Sequence, residues 1–211
     1  MIRMRATLNR SLLLLALVLT GCGTQAGLLP QRSDSAGVAA LSASKAAQLP
    51  MENFTRVNAG LYRGGIPTDE DMKGLKALGI KTVVNLMGGA GDAQERAMVA
   101  HEKEVAAKLG LTFVNLAIPF NVDVPETMVK QWLQLAQASD AQPVYIHCRH
   151  GRDRTGMMVG AYRIANDGYS GEQALDEMKT FGFKPERYPT FAKFVLNFKP
   201  TPSSGRVALA N

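Results

Sequence analysis

The amino-acid sequence predicts an α/β protein: a single domain with a central, mostly parallel sheet flanked by helices on both faces. Three observations carry that expectation. Short β-branched runs alternate with segments of helical period through most of the chain, an order that implies parallel strands joined by crossovers. The 211 residues are 46% hydrophobic and 20% charged, a mix that excludes a largely disordered chain, a collagen-like repeat and a coiled coil. The loop densest in reactive side chains follows directly on a short apolar strand, and ligands in such sheets bind at the carboxyl ends of strands.

The first segment lies outside the folded body. Arg3, Arg5 and Arg10 lead into the apolar run from Ser11 to Leu19, the layout of a secretory signal peptide. The run is too short to span a bilayer, which takes about 20 residues. It ends in Leu19-Thr20-Gly21-Cys22, which resembles the lipobox of bacterial lipoproteins. That resemblance implies cleavage before Cys22 and a diacylglycerol on its thiol. Gly23, where an Asp is absent, implies the outer membrane by the enterobacterial sorting habit, so the expected location is the cell envelope, lipid-anchored. Removing residues 1–21 takes away three arginines and leaves 21 basic against 18 acidic side chains. The formal net charge of +6 then falls to +3, and the nucleic-acid reading weakens with it. Two cysteines are too few for a disulfide scaffold. Residues 22–50, rich in Ala, Ser, Gly and Gln, read as a lipidated Cys and flexible tether. The body spans 51–199, and 200–211 reads as a loose tail.

Within the body, Phe54–Val57 and Leu61–Arg63 flank Asn58-Ala-Gly60, the pattern of a hairpin. Thr68 and Asp71 form a capping box for a helix whose stripe is Met72, Leu75 and Leu78 and whose stop is Gly79. Ile80–Leu86 is a strand, followed by a loop carrying Gly88, Gly89 and Gly91. Residues 93–109 form a helix, and Leu111–Leu116 the next strand. Pro125 opens a helix with Val129, Trp132, Leu133 and Ala136 on one side. Pro143–His147 is a short apolar strand. Helices follow at Thr155–Asn166, after a start at Arg154, then behind the Ser170/Gln173 cap, and at 189–198.

The strand ending at His147 runs into Cys148-Arg149-His150-Gly151-Arg152-Asp153-Arg154-Thr155-Gly156. A helix start beyond a tight loop presents unpaired backbone N–H groups and a positive dipole end. A loop curled round a centre aims its amides inward as an anion nest. Gly151 permits the turn, and the planar fork of Arg154 can hold two oxygens of one phosphate. Cys148 sits at the bottom of this positive cup, an environment that favours the thiolate. A thiolate facing a phosphoryl group is poised for attack.

This segment resembles the Cys-x5-Arg signature, His-Cys-x-x-Gly-x-x-Arg-Thr-Gly, of cysteine-based protein tyrosine and dual-specificity phosphatases. Val57–Gly65 and Gly79–Leu86 resemble the atypical branch of bacteria, fungi and plants. The resemblance covers about 145 residues, from Phe54 to Phe198. It implies Cys148 as nucleophile, through a phosphocysteine, and Arg154 as the ligand of phosphate and transition state. It implies backbone amides of Arg149 to Arg154 on the equatorial oxygens, Thr155 on the leaving thiolate, and His147 ordering the loop. No cofactor or metal is implied, and the histidines and arginines form no metal pattern; His101 reads as a helix-surface residue.

The general acid is less sharply marked. Family members protonate the leaving oxygen with an upstream loop Asp. Between strand and helix lies Ala117-Ile-Pro-Phe-Asn-Val-Asp-Val-Pro125, where Asp123 is the only carboxylate. Asn121 takes the acid position if the alignment slides by two, Glu126 falls in the helix's first turn, and an Asp before a helix start is also common without catalysis. Asp153 could orient Arg149 or Arg152 by ion pairing, or serve as an acid of different geometry, as a loop Asp before the signature Arg also occurs in myotubularin-type phosphoinositide phosphatases.

Arg149, His150 and Arg152 crowd the loop beyond what one phosphate needs. The expected substrate is therefore either phosphotyrosine or phosphoserine/threonine protein, or an inositol polyphosphate or phosphoinositide. A phosphate-binding pseudophosphatase is a further alternative. A sulfurtransferase or arsenate reductase also uses a loop Cys, but the former lacks this Arg-Thr-Gly helix start and the latter wants further redox cysteines. The expected partners are thus a phosphorylated substrate and, through Cys22, a membrane, with no nucleic acid.

Overall fold

The computed structural model describes residues 49–89 and 92–200. The expected signal peptide, Cys22, most of the expected tether and the expected tail lie outside these residues. Thr55–Asn58 (β1) and Leu61–Gly64 (β2) pair antiparallel as the expected hairpin. Thr82–Asn85 (β3), Thr112–Asn115 (β4) and Val144–His147 (β5) complete one sheet in the order β1-β2-β5-β3-β4. Every pairing except β1 with β2 is parallel. β5 therefore runs through the middle, hydrogen-bonded on both edges, and all four of its residues are buried. That double cover explains its unbroken apolar reading.

The described helices are Asp69–Ala77 (α1), Ala93–Lys108 (α2), Glu126–Gln137 (α3), Asp153–Tyr162 (α4), Gly171–Thr180 (α5) and Pro189–Asn197 (α6). Both predicted capping boxes are present. Thr68 Oγ1 accepts from the Asp71 backbone while the Asp71 carboxylate accepts from the Thr68 backbone, and Ser170 and Gln173 do the same. Each such cap contributes about 1 kcal/mol. Pro125 stands one position earlier than expected, as the residue before α3 rather than its first turn. α4 begins at Asp153, and its expected run to Asn166 is not all α-helix: Arg163–Asp167 is a π-helical turn, closed by Gly168 in the left-handed conformation.

Alternation along the strands divides the core. Leu61, Val84, Val144 and Ile146 face α3–α6, packing with Trp132, Met157, Met158, Met178, Phe191 and Val195. Tyr62, Val83 and Tyr145 face α1 and α2, packing with Met72, Leu75, Val105 and Ala106. Full burial of a side chain of this size contributes about 1.5–3 kcal/mol. Trp132 is fully buried, and its Nε1–H donates to the Met158 carbonyl at 2.7 Å, so the indole brings no unpaired donor into the core. The sheet thereby places the end of β5, flanked by the ends of β2 and β3, at one edge of a rigid platform.

Candidate active site

β5 delivers His147 and Cys148, and α4 begins five residues on, so Cys148 to Arg152 must turn tightly at the sheet's edge. Gly151 allows this with φ +68°, and a Cβ there would overlap the Gly64 carbonyl at the end of β2. Cys148 is buried and unbonded to another sulfur.

Arg154, on the first turn of α4, is also buried. Its Nη1 and Nη2 donate to the two carboxylate oxygens of Glu95 at 2.8 and 2.7 Å, with longer contacts from Nη1 to the Leu86 and Ile118 carbonyls. The guanidinium lies 4.1 Å from the centroid of the Phe120 ring. Burial by itself favours loss of its proton, but the Glu95 hydrogen bonds and the nearby sulfur of Cys148 outweigh it and hold its pKa above the ordinary value. Glu95 is buried too, which would raise its pKa. The bonds from Arg154 and from the Gly88 N–H, together with the charges of Arg154 and Arg149, bring it below the ordinary glutamate value instead.

His147 faces the other side of the sheet. Its Nε2 lies 2.8 Å from Glu102 Oε1 and its Nδ1 3.3 Å from the Cys148 carbonyl. Asn85 on β3 donates to the second Glu102 oxygen at 2.7 Å, and the imidazole stacks on Tyr145 at 5.4 Å. Thr155 is fully buried, and its hydroxyl has no partner among the described residues.

The rim departs from the sequence expectation. His150 Nδ1 lies 2.8 Å from Glu52 and Arg152 Nε 4.0 Å from the same carboxylate, so two of the extra loop side chains face a carboxylate from the segment before β1. Among the described residues Arg149 has no ion pair. Of the two roles open to Asp153, ion pairing with Arg149 or Arg152 is not seen: it makes no ion pair among the described residues, and Arg152 turns to Glu52. Burial raises the Asp153 pKa, against the opposing pull of Arg152, Arg154, His150 and Arg187.

The loop from β4 to α3 carries Asp123, which is exposed and lines an apolar hollow with Ile118, Pro119, Val122 and Met128. Asn121, the alternative acid position, is occupied otherwise: with φ +53° its Oδ1 accepts from the Thr190 N–H of α6 at 3.1 Å. Phe120 stacks on Tyr188, the residue before α6, which ties the same loop a second time to the start of that helix. His101 sits on the exposed side of α2, 2.8 Å from Asp69.

The model of a protein family described as "DSP-PTPase phosphatase fused to NAD+ kinase" matches residues 36–192. The chain belongs to this family. Among the relatives of this DSP-PTPase chain, the dual specificity protein phosphatase TpbA of Pseudomonas aeruginosa is 33% identical over 140 residues, covering 65% of the chain and 58% of TpbA. The inositol diphosphatase SIW14 of Saccharomyces cerevisiae is 28% identical over 148 residues, covering 66% of the chain and 48% of that protein. The chain thus spans about half the length of the curated relatives it matches. The crystal structure of P. aeruginosa TpbA superposes with a TM-score of 0.59 at 26% identity, over 72% of this chain and 89% of that one. The core catalytic domain of S. cerevisiae SIW14 gives 0.59 at 22%, over 72% and 88%. The α/β architecture with its mostly parallel sheet is the one these phosphatase structures share.

Sequence reasoning alone passed over Glu95, Glu102, Arg63, Asn53 and Phe120. A signal for the first two was present. Glu95 and Glu102 lie seven residues apart, on the same face of α2 as the buried Val105 and Ala106. Carboxylates on a helix's inward stripe call for buried cationic or polar partners.

Proposed function

We propose that this chain is a phosphomonoester hydrolase that works through a phosphocysteine and needs no metal. The observation that carries the reading is the convergence of buried Cys148 and buried, Glu95-clamped Arg154 on one tight loop between β5 and α4. Cys148 Sγ attacks phosphorus, the ester oxygen departs with a proton from Asp123, and water then cleaves the phosphocysteine to release inorganic phosphate and the thiolate. Arg154 and the loop amides hold the phosphoryl oxygens as preorganised donors. Thr155, with its orphaned buried hydroxyl, donates to the departing sulfur, and His147 orders the loop from behind through Glu102.

The expected substrate is phosphotyrosine or phosphoserine/threonine protein, for which one deep cup suffices. Hydrolysis of an inositol polyphosphate or phosphoinositide is the second reading. It is favoured by Arg149, which has no ion pair among the described residues, and by relatives named inositol diphosphatases. We place the protein in the cell envelope through a lipid on Cys22, on the strength of the Leu19–Cys22 pattern; Cys22→Ser that stayed in the membrane fraction would remove that anchor.

Phosphate release from p-nitrophenyl phosphate without added metal tests the chemistry. Cys148→Ser is expected to abolish it, and retained turnover would end the thiolate mechanism and leave room for no pseudophosphatase either. Asp123→Asn is expected to lower kcat about 10²–10⁴-fold and to remove the alkaline limb of its pH profile; an unchanged profile would move the acid elsewhere. Comparing kcat/KM for phosphotyrosine peptide, phosphoserine peptide, inositol hexakisphosphate and a phosphoinositide separates the two substrate readings.

A further inference from the structure

Arg63 is the least satisfied buried charge among the described residues. It is fully buried at the end of β2, yet among the described residues it has no carboxylate ion pair. Its Nη2 donates to the Gly151 carbonyl at 2.6 Å, its guanidinium lies 3.8 Å from the Phe181 centroid, and its Nε and Nη1 have no partner among the described residues. Burial lowers its pKa to about 10, still cationic at neutral pH; Glu177 and the Cys148 sulfur are the leading negative charges it feels. A lone buried cation is costly, so its presence calls for a reason other than stability.

The neighbouring carbonyls supply one. The Arg149 carbonyl accepts from the Ile66 N–H at 3.1 Å, the His150 carbonyl from Asn53 Nδ2 at 2.8 Å, and the Gly151 carbonyl from Arg63. Three consecutive peptide planes are thus gripped by their oxygens from the same supporting wall, the β1–β2 hairpin and its flanks. In a planar trans peptide the N–H points opposite to the C=O. Pulling these oxygens outward therefore turns the N–H groups of His150, Gly151 and Arg152 toward the cup, and among the described residues those N–H groups donate to no backbone acceptor.

We propose that Arg63, together with Asn53, is a positioning residue of the catalytic loop: it sets the Gly151–Arg152 peptide so that its amide meets a bound oxyanion, and it lends uncompensated positive charge to the cup. The inference deepens the phosphatase reading and rests on it. Neither residue touches substrate; each acts through the backbone it holds.

Arg63→Met and Arg63→Lys in the full chain test it, with p-nitrophenyl phosphate turnover, competitive inhibition by vanadate, and Tm. Arg63→Met keeps packing on Phe181 but loses donor and charge. It is expected to lower kcat about 100-fold, the loss of one oxyanion donor, with a smaller change in KM and weaker vanadate inhibition. Its Tm is expected to hold or rise, since removing an unpaired buried cation relieves a desolvation cost. Arg63→Lys keeps a cation and one donor and is expected to recover part of kcat. Wild-type kcat and vanadate inhibition in Arg63→Met would overturn the inference, as would loss of fold in both variants, which would make the role structural. A wild-type protein that neither turns over nor binds vanadate would instead overturn the phosphatase reading itself, and this inference with it.

Discussion

At the scale of single residues, the site depends on how its buried charges are answered. Arg154 and Glu95 are both buried and exchange two hydrogen bonds of 2.7–2.8 Å. A buried pair of this kind adds little net stability over an apolar pair, but breaking it leaves one charge stranded, at about 3–5 kcal/mol. Glu95→Ala is therefore expected to lower stability by about that amount and to lower kcat, because Arg154 loses the fork that fixes its plane. Glu95→Gln, which keeps one acceptor, should unfold later than Glu95→Ala in denaturant. The carboxylate also leaves a pH signature. Its folded pKa lies below the ordinary 4.5, so its stabilisation is fully present above that value and is lost as pH falls through the lower folded value. Acid titration of Tm should show a slope below about pH 4.5 that Glu95→Gln flattens; equal slopes would mean that Glu95 carries no such linkage. Of these residues, Cys148, Arg154 and Thr155 were legible because they sit together in one run of sequence. Glu95, Glu102 and Arg63 were not, because each answers the loop across the fold, at separations of 59, 45 and 88 residues.

At the scale of elements, the loop between β5 and α4 is a turn whose shape is set by its neighbours. Gly151→Ala places a Cβ both in the left-handed region, at about 1–2 kcal/mol, and against the Gly64 backbone. Gly79, after α1, has φ +84° with nothing within 4 Å of an added Cβ, so Gly79→Ala isolates the conformational cost. Gly79→Ala is expected to lose about 1–2 kcal/mol in urea unfolding with kcat intact, and Gly151→Ala to lose more stability and most of its activity. Near-equal variants would show that the loop relaxes without cost. The strands and helices themselves were largely legible, since their caps and apolar periods are local. The π-helical turn at Arg163–Asp167 was not, because Tyr162-Arg-Ile-Ala-Asn166 carries an ordinary helical pattern and only the backbone bonding distinguishes it. The parallel pairing of β5 between β2 and β3 followed as a class from strand–helix alternation, but the strand order did not, since short apolar strands are interchangeable in pattern.

At the scale of the whole molecule, the segment before the first strand behaves as part of the site. Met51 is buried in the core on the α1/α2 side and meets the Tyr145 hydroxyl. The Glu52 carbonyl accepts from Gly65 at 2.7 Å, its carboxylate faces His150 and Arg152, and Asn53 holds the His150 carbonyl. Three residues outside any strand or helix thus join the core, the β2 end and the catalytic loop. A chain beginning at residue 49 retains all of these contacts; one beginning at residue 55 keeps every strand and helix but loses them. Removal of Met51 alone forfeits about 2–5 kcal/mol by analogy with core truncation. The loss of Asn53 frees one of the three gripped peptide planes. The 49–200 chain is therefore expected to match a chain of residues 22–211 in Tm and in kcat for p-nitrophenyl phosphate. The 55–200 chain is expected to melt several degrees lower and to lose kcat out of proportion to its folded fraction, measured at a temperature where both chains are folded. Equal kcat in the two would mean that the loop holds its amides inward without this segment, and that the functional unit starts at β1. A loss of Tm with kcat per folded molecule unchanged would assign the segment to the core alone and leave the catalytic loop to Arg63 and Ile66.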